Sequence, residues 1–316
     1  PHAHILLTIR AMDEHGKWLP KARKVYDLDE NGERPASRDI TIGDLLNMTS
    51  GIPYPDWTPA GQKMGALWGG QSENYLKGEK LFNTYDFAME MGKCPLVFDP
   101  GEKWMYGASA DIMGAVVEAV TGMKFGEFLQ KEIFEPLEMN DTGFWIPQEK
   151  YNRLAQCYEY SDNGIKPFTH FHLCLTDYKE PPAFESGGAG LISTMDDYAK
   201  FAKMLMNHGE LNGKRVLGAN TVEYMRRSSL TPKQTESLNW DSTIGHSYGN
   251  FMRVLKDPAR AGLIQSEGSF GWDGWMGCYF SLDPVKEASV LYFIQQAGAG
   301  TTDAVIRLQN IAFGAL

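Results

Sequence analysis

Residues 98–122 read FDPGEKWMYGASADIMGAVVEAVTG, a turn-rich loop followed by a stretch with one apolar face. The apolar residues recur at helical spacing, at Ile112, Met113, Val116, Val117 and Val120. This pattern predicts a helix that ends at Gly122, because glycine adopts the left-handed cap conformation without strain. A lone tyrosine, Tyr106, comes just before the predicted helix begins.

The stretches on both sides predict further helices. Residues 41–52, TIGDLLNMTSGI, carry a capping-box pattern of Thr41 and Asp44 ahead of an apolar run. Residues 193–209, STMDDYAKFAKMLMNHG, begin with a serine–threonine cap and end at a glycine. Residues 4–18 also show helical spacing, whereas residues 52–78, with their several glycines, are predicted to be irregular.

The last third of the chain has a different pattern. From about residue 244, short β-rich runs alternate with Gly, Pro and Asp turn signals, and residues 301–316 form an amphipathic helical pattern. This order predicts an α/β (α+β) fold in which an antiparallel sheet is flanked by terminal helices. We predict a sheet domain formed by residues 1–35 and 230–316, with a mostly helical domain, residues 36–229, inserted between its two parts.

Composition and charge exclude several classes of function. The 316 residues carry a formal net charge of −10, which argues against nucleic acid and anionic membranes as partners. No apolar run reaches the roughly 18 residues of a membrane-spanning helix, and no secretory leader pattern is visible. The cysteines, scattered at Cys94, Cys157, Cys174 and Cys278, form no CxxC pair, so the sequence leans towards a cytoplasmic location while the compartment stays open.

Two polar patterns suggest ligand sites but have simpler interpretations. His170 and His172 alternate as on one strand face, yet a metal site needs a third ligand and only Asp177 is a candidate. A loop at the rim of a cleft is the favoured interpretation, and we predict neither a metal nor a cofactor. Residues 185–194, ESGGAGLIST, lack the preceding strand and the GK[ST] ending of a phosphate-binding loop, so we predict a tight turn below a cleft.

Four segments in a fixed order carry a resemblance to a known family. They are residues 40–52, 98–144, 185–217 and 268–284. Together they resemble the serine β-lactamase and penicillin-binding-protein superfamily, in particular its branch of class C β-lactamases, D,D-peptidases and family VIII carboxylesterases. The resemblance implies a β-lactamase-like fold and a reaction through an acyl-enzyme on a serine, which needs a base and an oxyanion hole.

The second motif of that family begins with a tyrosine, and Tyr106 matches it. The resemblance implies that a neighbouring first-motif lysine would lower the phenol pKa of Tyr106, which could then relay the proton of the nucleophile. Ala108 stands at a substrate-contacting position where the family often has asparagine. This departure resembles the esterase branch more closely than an efficient β-lactamase.

The third motif corresponds to Trp272, Asp273 and Gly274, which the resemblance implies are substrate-binding. Gly274 would let the strand backbone approach the substrate, since no Cβ intrudes. The backbone N–H of Trp275 would supply half of the oxyanion hole. Asp273 is unusual, because a carboxylate pointing at a developing oxyanion is unfavourable, so we expect its side chain to face away or the site to be impaired.

The first motif, Ser-x-x-Lys, has no match, since no serine of the chain has a lysine three residues later. Residues 12–17, MDEHGK, resemble the phrase that follows this motif in the family, which puts the serine and the lysine upstream of Pro1. The strands that usually precede the motif are missing as well. Three explanations remain open: a fragment of an active enzyme, a homologue that has lost the nucleophile, or a rearranged N-terminal sequence.

These observations predict a serine hydrolase that acts on a small-molecule ester or amide, with an esterase more in keeping with the motifs than a β-lactamase. The alternative is a non-catalytic ligand-binding protein on the same fold. The aromatic residues suggest a hydrophobic acyl or alcohol group, and they are Trp57, Trp68, Phe171, Trp272 and Trp275. The substrate and the oligomeric state are not indicated by the sequence.

Overall fold

A computed structural model describes residue 36, residues 38–169, residue 173 and residues 176–316. The predicted N-terminal helix, the pair of His170 and His172, and Cys174 lie outside these described residues. The prediction that N-terminal strands are missing concerns the same undescribed part of the chain.

The first half of the described chain is mainly helical. The helices are α1 (Ile42–Leu46), α2 (Pro59–Lys77), α3 (Thr84–Met91), α4 (Ser109–Thr121) and α5 (Phe125–Leu129), the last continued by a π-helical turn, Gln130–Phe134. α1 begins as predicted, with a complete capping box between Thr41 and Asp44. α4 follows the apolar stripe of the sequence and ends at Gly122, whose φ of 70° is left-handed.

The prediction that residues 52–78 are irregular is wrong, because most of them form α2. Thr58 caps this helix by accepting a hydrogen bond from the N–H of Gly61, and Pro59 occupies the first turn. Met64 and Trp68 are buried on its inner face. Burial of these side chains offsets the low helix propensity of the glycines.

The second half alternates short helices and strands. The helices are α6 (Met195–Met206), α7 (Ala219–Met225), α8 (Pro232–Thr235), α9 (Pro258–Ala261) and α10 (Asp303–Gly314), with 3-10 turns at Gln148–Arg153 and Asp241–Thr243. Two small hairpins pair β1 (Tyr158–Ser161) with β2 (Gly164–Pro167), and β3 (Glu210–Leu211) with β4 (Lys214–Arg215).

The main sheet contains β5 (His246–Gly249), β6 (Met252–Leu255), β7 (Phe270–Asp273), β8 (Tyr279–Asp283) and β9 (Ala288–Tyr292). Spatial order equals chain order, and every neighbouring pair is antiparallel. The predicted meander is therefore confirmed. α10 packs against β9, and the Tyr279 hydroxyl donates a hydrogen bond to Gln309 on this helix at 2.8 Å.

Three hydrophobic clusters hold these elements together. The first joins α1 to α4 around Trp68 and Phe87, and the second joins α6 and α7 to the sheet through residues such as Met204 and Phe270. The third lies between the loop before α4 and β5. The predicted helical domain, residues 36–229, thus contributes to more than one core, and its limits stay a prediction.

Among the described residues, no helix combines the length and the apolar character that crossing a bilayer requires.

Candidate active site

The loop that carries Tyr106 is fixed on both sides by hydrogen bonds. The N–H of Trp104 donates to the Ser237 hydroxyl at 2.8 Å, and the N–H of Met105 donates to the carbonyl of Met48 at 2.9 Å. Gly107 follows immediately, and a Cβ at this position would lie 2.0 Å from the carbonyl oxygen of Ile52. Only glycine permits this close approach, which directs Tyr106 towards the sheet.

Tyr106 lies among aromatic rings that come from distant parts of the chain. Its ring centroid is 5.5 Å from that of Trp272, 5.5 Å from that of Trp240 and 5.7 Å from that of Tyr54. The fold therefore brings together the segments proposed as second and third motifs, at a separation typical of interacting aromatic pairs. Trp240 joins this group although the sequence had not indicated it.

Burial raises the pKa of the Tyr106 phenol above its ordinary value. A hydrogen bond from the Trp272 indole opposes the rise, and the charges of Asp111 and Asp273 add to it. This is the opposite direction from the lowering expected beside a first-motif lysine. No cation among the described residues lowers the pKa of Tyr106. The phenol is therefore protonated at neutral pH and available as a hydrogen-bond donor.

Ala108 occupies the N-cap position of α4 and is 0% exposed. It packs in the first cluster together with residues such as Leu45 and Ile52. Its role as a substrate-binding residue stays a prediction that this burial disfavours, because the methyl group contacts other core side chains. The choice of a small residue here is explained by packing density within the core.

The third motif forms the end of β7. Trp272 faces Tyr106 and also packs edge-on against Tyr248, with ring centroids 5.0 Å apart. The carboxylate of the next residue, Asp273, lies 3.1 Å from the guanidinium of Arg253, which also lies 5.2 Å from the ring centroid of Trp272. The expectation that Asp273 turns away from the oxyanion stays a prediction, and its charge still acts on the phenol of Tyr106.

A tight turn follows β7. The N–H of Gly274 donates to the carbonyl of Cys278 at 2.7 Å, and the N–H of Gly277 donates to the carbonyl of Gly274 at 2.8 Å. A Cβ at Gly274 would make only ordinary contacts, the nearest at 3.7 Å, so its absence leaves room beside the strand. Trp275 lies within this turn with its indole against Phe168. Its role in an oxyanion hole stays a prediction.

Asp111 is a buried carboxylate that the sequence analysis had not placed in the site. It accepts hydrogen bonds from the Ser186 hydroxyl at 2.5 Å, the N–H of Gly188 at 3.2 Å and the Tyr54 hydroxyl at 3.0 Å. Burial raises its pKa, and these hydrogen bonds oppose the rise. Asp111 therefore joins α4 to the loop of Tyr54 and to the predicted glycine-rich turn.

Residues 185–190, ESGGAG, form the predicted glycine-rich turn, which packs against Tyr54 and α4. Gly187 lies so close to α4 that a Cβ would be 2.2 Å from the carbonyl oxygen of Ala110. The signal that could have identified Asp111 is its position in α4, where it is the acidic residue of the first turn. Within the described residues, no group of three or more His, Cys, Asp or Glu side chains has an arrangement that could hold a metal ion.

Comparisons with known proteins agree with this architecture. The family profile described as Beta-lactamase matches residues 9–313. Protein Rv1367c of Mycobacterium tuberculosis is 28% identical over 298 residues, which are 91% of this chain and 71% of that protein. Esterase EstB of Burkholderia gladioli is 28% identical over 302 residues, 90% of this chain and 70% of that protein.

Among solved structures, EstCE1, a hydrolase with promiscuous acyltransferase activity, is similar in fold. It aligns with a TM-score of 0.73 and 22% sequence identity, over 92% of this chain and 75% of that one. The alignment confirms the predicted fold class, a mixed arrangement of helices and antiparallel strands.

Proposed function

This chain belongs to the Beta-lactamase family, and we propose that it is a serine hydrolase that cleaves a small-molecule ester or amide through an acyl-enzyme. The observation that supports this most strongly is the 5.5 Å contact between the rings of Tyr106 and Trp272, from the second and third motifs. The proposal requires a nucleophilic serine and a lysine, which a Ser-x-x-Lys motif upstream of Pro1 would supply.

We propose an ester rather than a β-lactam as the substrate. Ala108 is buried and offers no amide to a β-lactam side chain, in place of the asparagine that is common there. The rings of Tyr106, Trp240 and Trp272 offer a largely apolar wall, which supports an ester with an apolar acyl or alcohol group. Trp68 does not take part in this wall, since it is buried in the helical core.

In this proposal Tyr106 passes a proton between the nucleophile, a neighbouring lysine and the leaving group. The described residues raise the pKa of this phenol, and the neighbouring lysine of the proposal would lower it. Trp272 orients the phenol through its ring contact with Tyr106, with centroids 5.5 Å apart, and the turn after β7 would offer the N–H of Trp275 to the oxyanion.

The test is turnover of a short-chain p-nitrophenyl ester by the full-length protein. We expect a burst of p-nitrophenol and a covalent adduct by mass spectrometry. Tyr106→Phe is expected to lower kcat by about 100-fold, the scale of a lost proton-transfer group. The matched control is Tyr224→Phe, because Tyr224 is exposed on α7 and away from the aromatic rings around Tyr106. No adduct and no turnover would refute the proposal.

A second candidate is a ligand-binding protein that does not catalyse. It is favoured by one observation, the lack of a lysine three residues after any serine of residues 1–316. It predicts that an ester ligand raises the unfolding temperature without forming product, and that Tyr106→Phe leaves this shift nearly unchanged. A product burst from the full-length protein would refute it.

A further inference from the structure

Asp273 is the residue of the third motif whose charge needs an explanation. It ends β7 and directly precedes Gly274 and Trp275. Its Oδ1 lies 3.1 Å from Nη2 of Arg253, and its Oδ2 accepts a hydrogen bond from the Thr301 hydroxyl at 2.5 Å. Nη2 of Arg253 also donates to the oxygen of Thr301 at 3.0 Å, so the three side chains form a closed ring of contacts.

Arg253 is held by more than this ion pair. Its side chain is 5% exposed and that of Asp273 is 14% exposed. The guanidinium lies 5.2 Å from the ring centroid of Trp272 and 5.1 Å from that of Tyr279, which is cation–π geometry on both sides. Nη1 donates to the carbonyl of Ser242 at 3.3 Å. One buried cation therefore contacts both Trp272 and Asp273 of the third motif.

These contacts connect three parts of the chain. Arg253 lies on β6, Asp273 lies at the end of β7, and Thr301 lies just before α10. The turn after β7 starts at the very next residue, Gly274. A shift of Asp273 would therefore move the backbone that leads to the N–H of Trp275.

The negative charge of Asp273 also affects the proposed oxyanion site. A carboxylate two residues from an oxyanion donor would oppose the negative charge of the transition state if it were unpaired, since little water screens it there. Arg253 neutralises this charge. A buried pair of this kind adds little net stability, but removing one partner leaves the other charge uncompensated.

We propose that Arg253 and Thr301 are positioning residues that hold and neutralise Asp273, and so fix the oxyanion turn of the third motif. We call these three side chains the Arg253 clamp. The inference rests on the proposed function, because it assigns the clamp a role in stabilising the oxyanion of that reaction. None of the three side chains touches the reacting atoms in this proposal.

The test compares Arg253→Met, Asp273→Asn and the double variant in the full-length protein, with a p-nitrophenyl ester. Arg253→Met is expected to lower kcat by about 10- to 100-fold with KM nearly unchanged, since a small displacement or an unpaired charge at the oxyanion affects the transition state most. Asp273→Asn is expected to cost less than tenfold. The kcat of the double variant is expected to return to that of Asp273→Asn, because neither charge of the ion pair is then left without its partner.

The matched control is Lys256→Met, which removes a cation just beyond β6 whose ion pair with Glu267 is exposed, and it is expected to keep wild-type kcat. A purely structural role would lower the unfolding temperature of Arg253→Met without this recovery of kcat. If Arg253→Met does not fold, Thr301→Val and Arg253→Lys provide the same test, and a lowered kcat at constant KM supports the clamp.

The clamp is overturned if these variants keep wild-type kcat, or if the double variant is as impaired as Arg253→Met. The proposed function would fail differently, since the wild-type protein itself would then give no adduct and no turnover.

Discussion

Replacing Asp111 tests how far one buried carboxylate holds the candidate site together. Asp111 is 0% exposed and accepts three hydrogen bonds, from Ser186, Gly188 and Tyr54. In Asp111→Ala these donors lose their acceptor. A buried donor left unsatisfied costs about 1–3 kcal/mol, so three such donors give a gross loss of about 3–9 kcal/mol.

A second effect reduces this loss. Burial raises the pKa of Asp111, which means that the folded state holds the ionised carboxylate at a cost. The alanine variant is relieved of that cost. We therefore expect a net loss of about 2–4 kcal/mol, near the lower end of that range, which corresponds to a fall of about 4–8 °C in Tm at about 2 °C per kcal/mol. Asp111→Asn keeps one side-chain oxygen for Ser186 and Gly188, and we expect it to lose about 1 kcal/mol.

The assay is thermal unfolding followed by circular dichroism. Asp86 provides the matched control, because it is the third residue of α3 as Asp111 is of α4, but it is exposed. Asp86→Ala is expected to lose less than about 1 kcal/mol, the scale of a charge near a helix N-terminus. Equal losses in Asp86→Ala and Asp111→Ala would refute the reasoning, because the buried hydrogen bonds would then contribute nothing.

Two further predictions concern stability. Gly107→Ala is expected to destabilise the protein by about 1–3 kcal/mol, since the new methyl group would overlap the carbonyl of Ile52. Gly70→Ala, on the open surface of α2, is expected to stabilise the protein by up to about 1 kcal/mol. Chemical denaturation measures both changes. Burial, aided by the charge of Arg253, lowers the pKa of His246 from 6.5 to about 4. Stability is therefore fully present above pH 6.5 and is lost as the pH falls towards 4, because the unfolded state takes up the proton first. Denaturation curves between these pH values should show a smaller loss for His246→Gln, and equal losses would contradict the assignment.

Local sequence patterns predicted most of the elements correctly. α4, α6 and the strands from β5 to β9 agree with the apolar spacing and the turn residues read from the chain. α2 was missed because its glycines suggested irregular backbone. Gly61 has a reason in the first turn of α2, since a Cβ there would lie 1.8 Å from a carboxylate oxygen of Asp56 in the preceding loop.

The candidate site was only partly predictable. Tyr106 and Trp272 were selected by their motifs, and the fold places their rings in contact. The assignment of Ala108 to the substrate stays a prediction, and the fold adds that its methyl group is buried in the first cluster at the cap of α4. Trp240 carried no motif, because its role depends on a chain reversal that brings it back to Tyr106.

The sequence by itself determined most of the helices and strands, and their order, because an element that buries one face repeats its apolar residues at a characteristic spacing. Only the tertiary structure decided which distant side chains donate hydrogen bonds to the carboxylates. Asp111 and Ser186 are 75 residues apart, and Asp273 and Thr301 are 28 residues apart, yet each pair shares a hydrogen bond. Such pairings follow from how the elements pack, and a buried carboxylate is tolerated only where that packing supplies its donors.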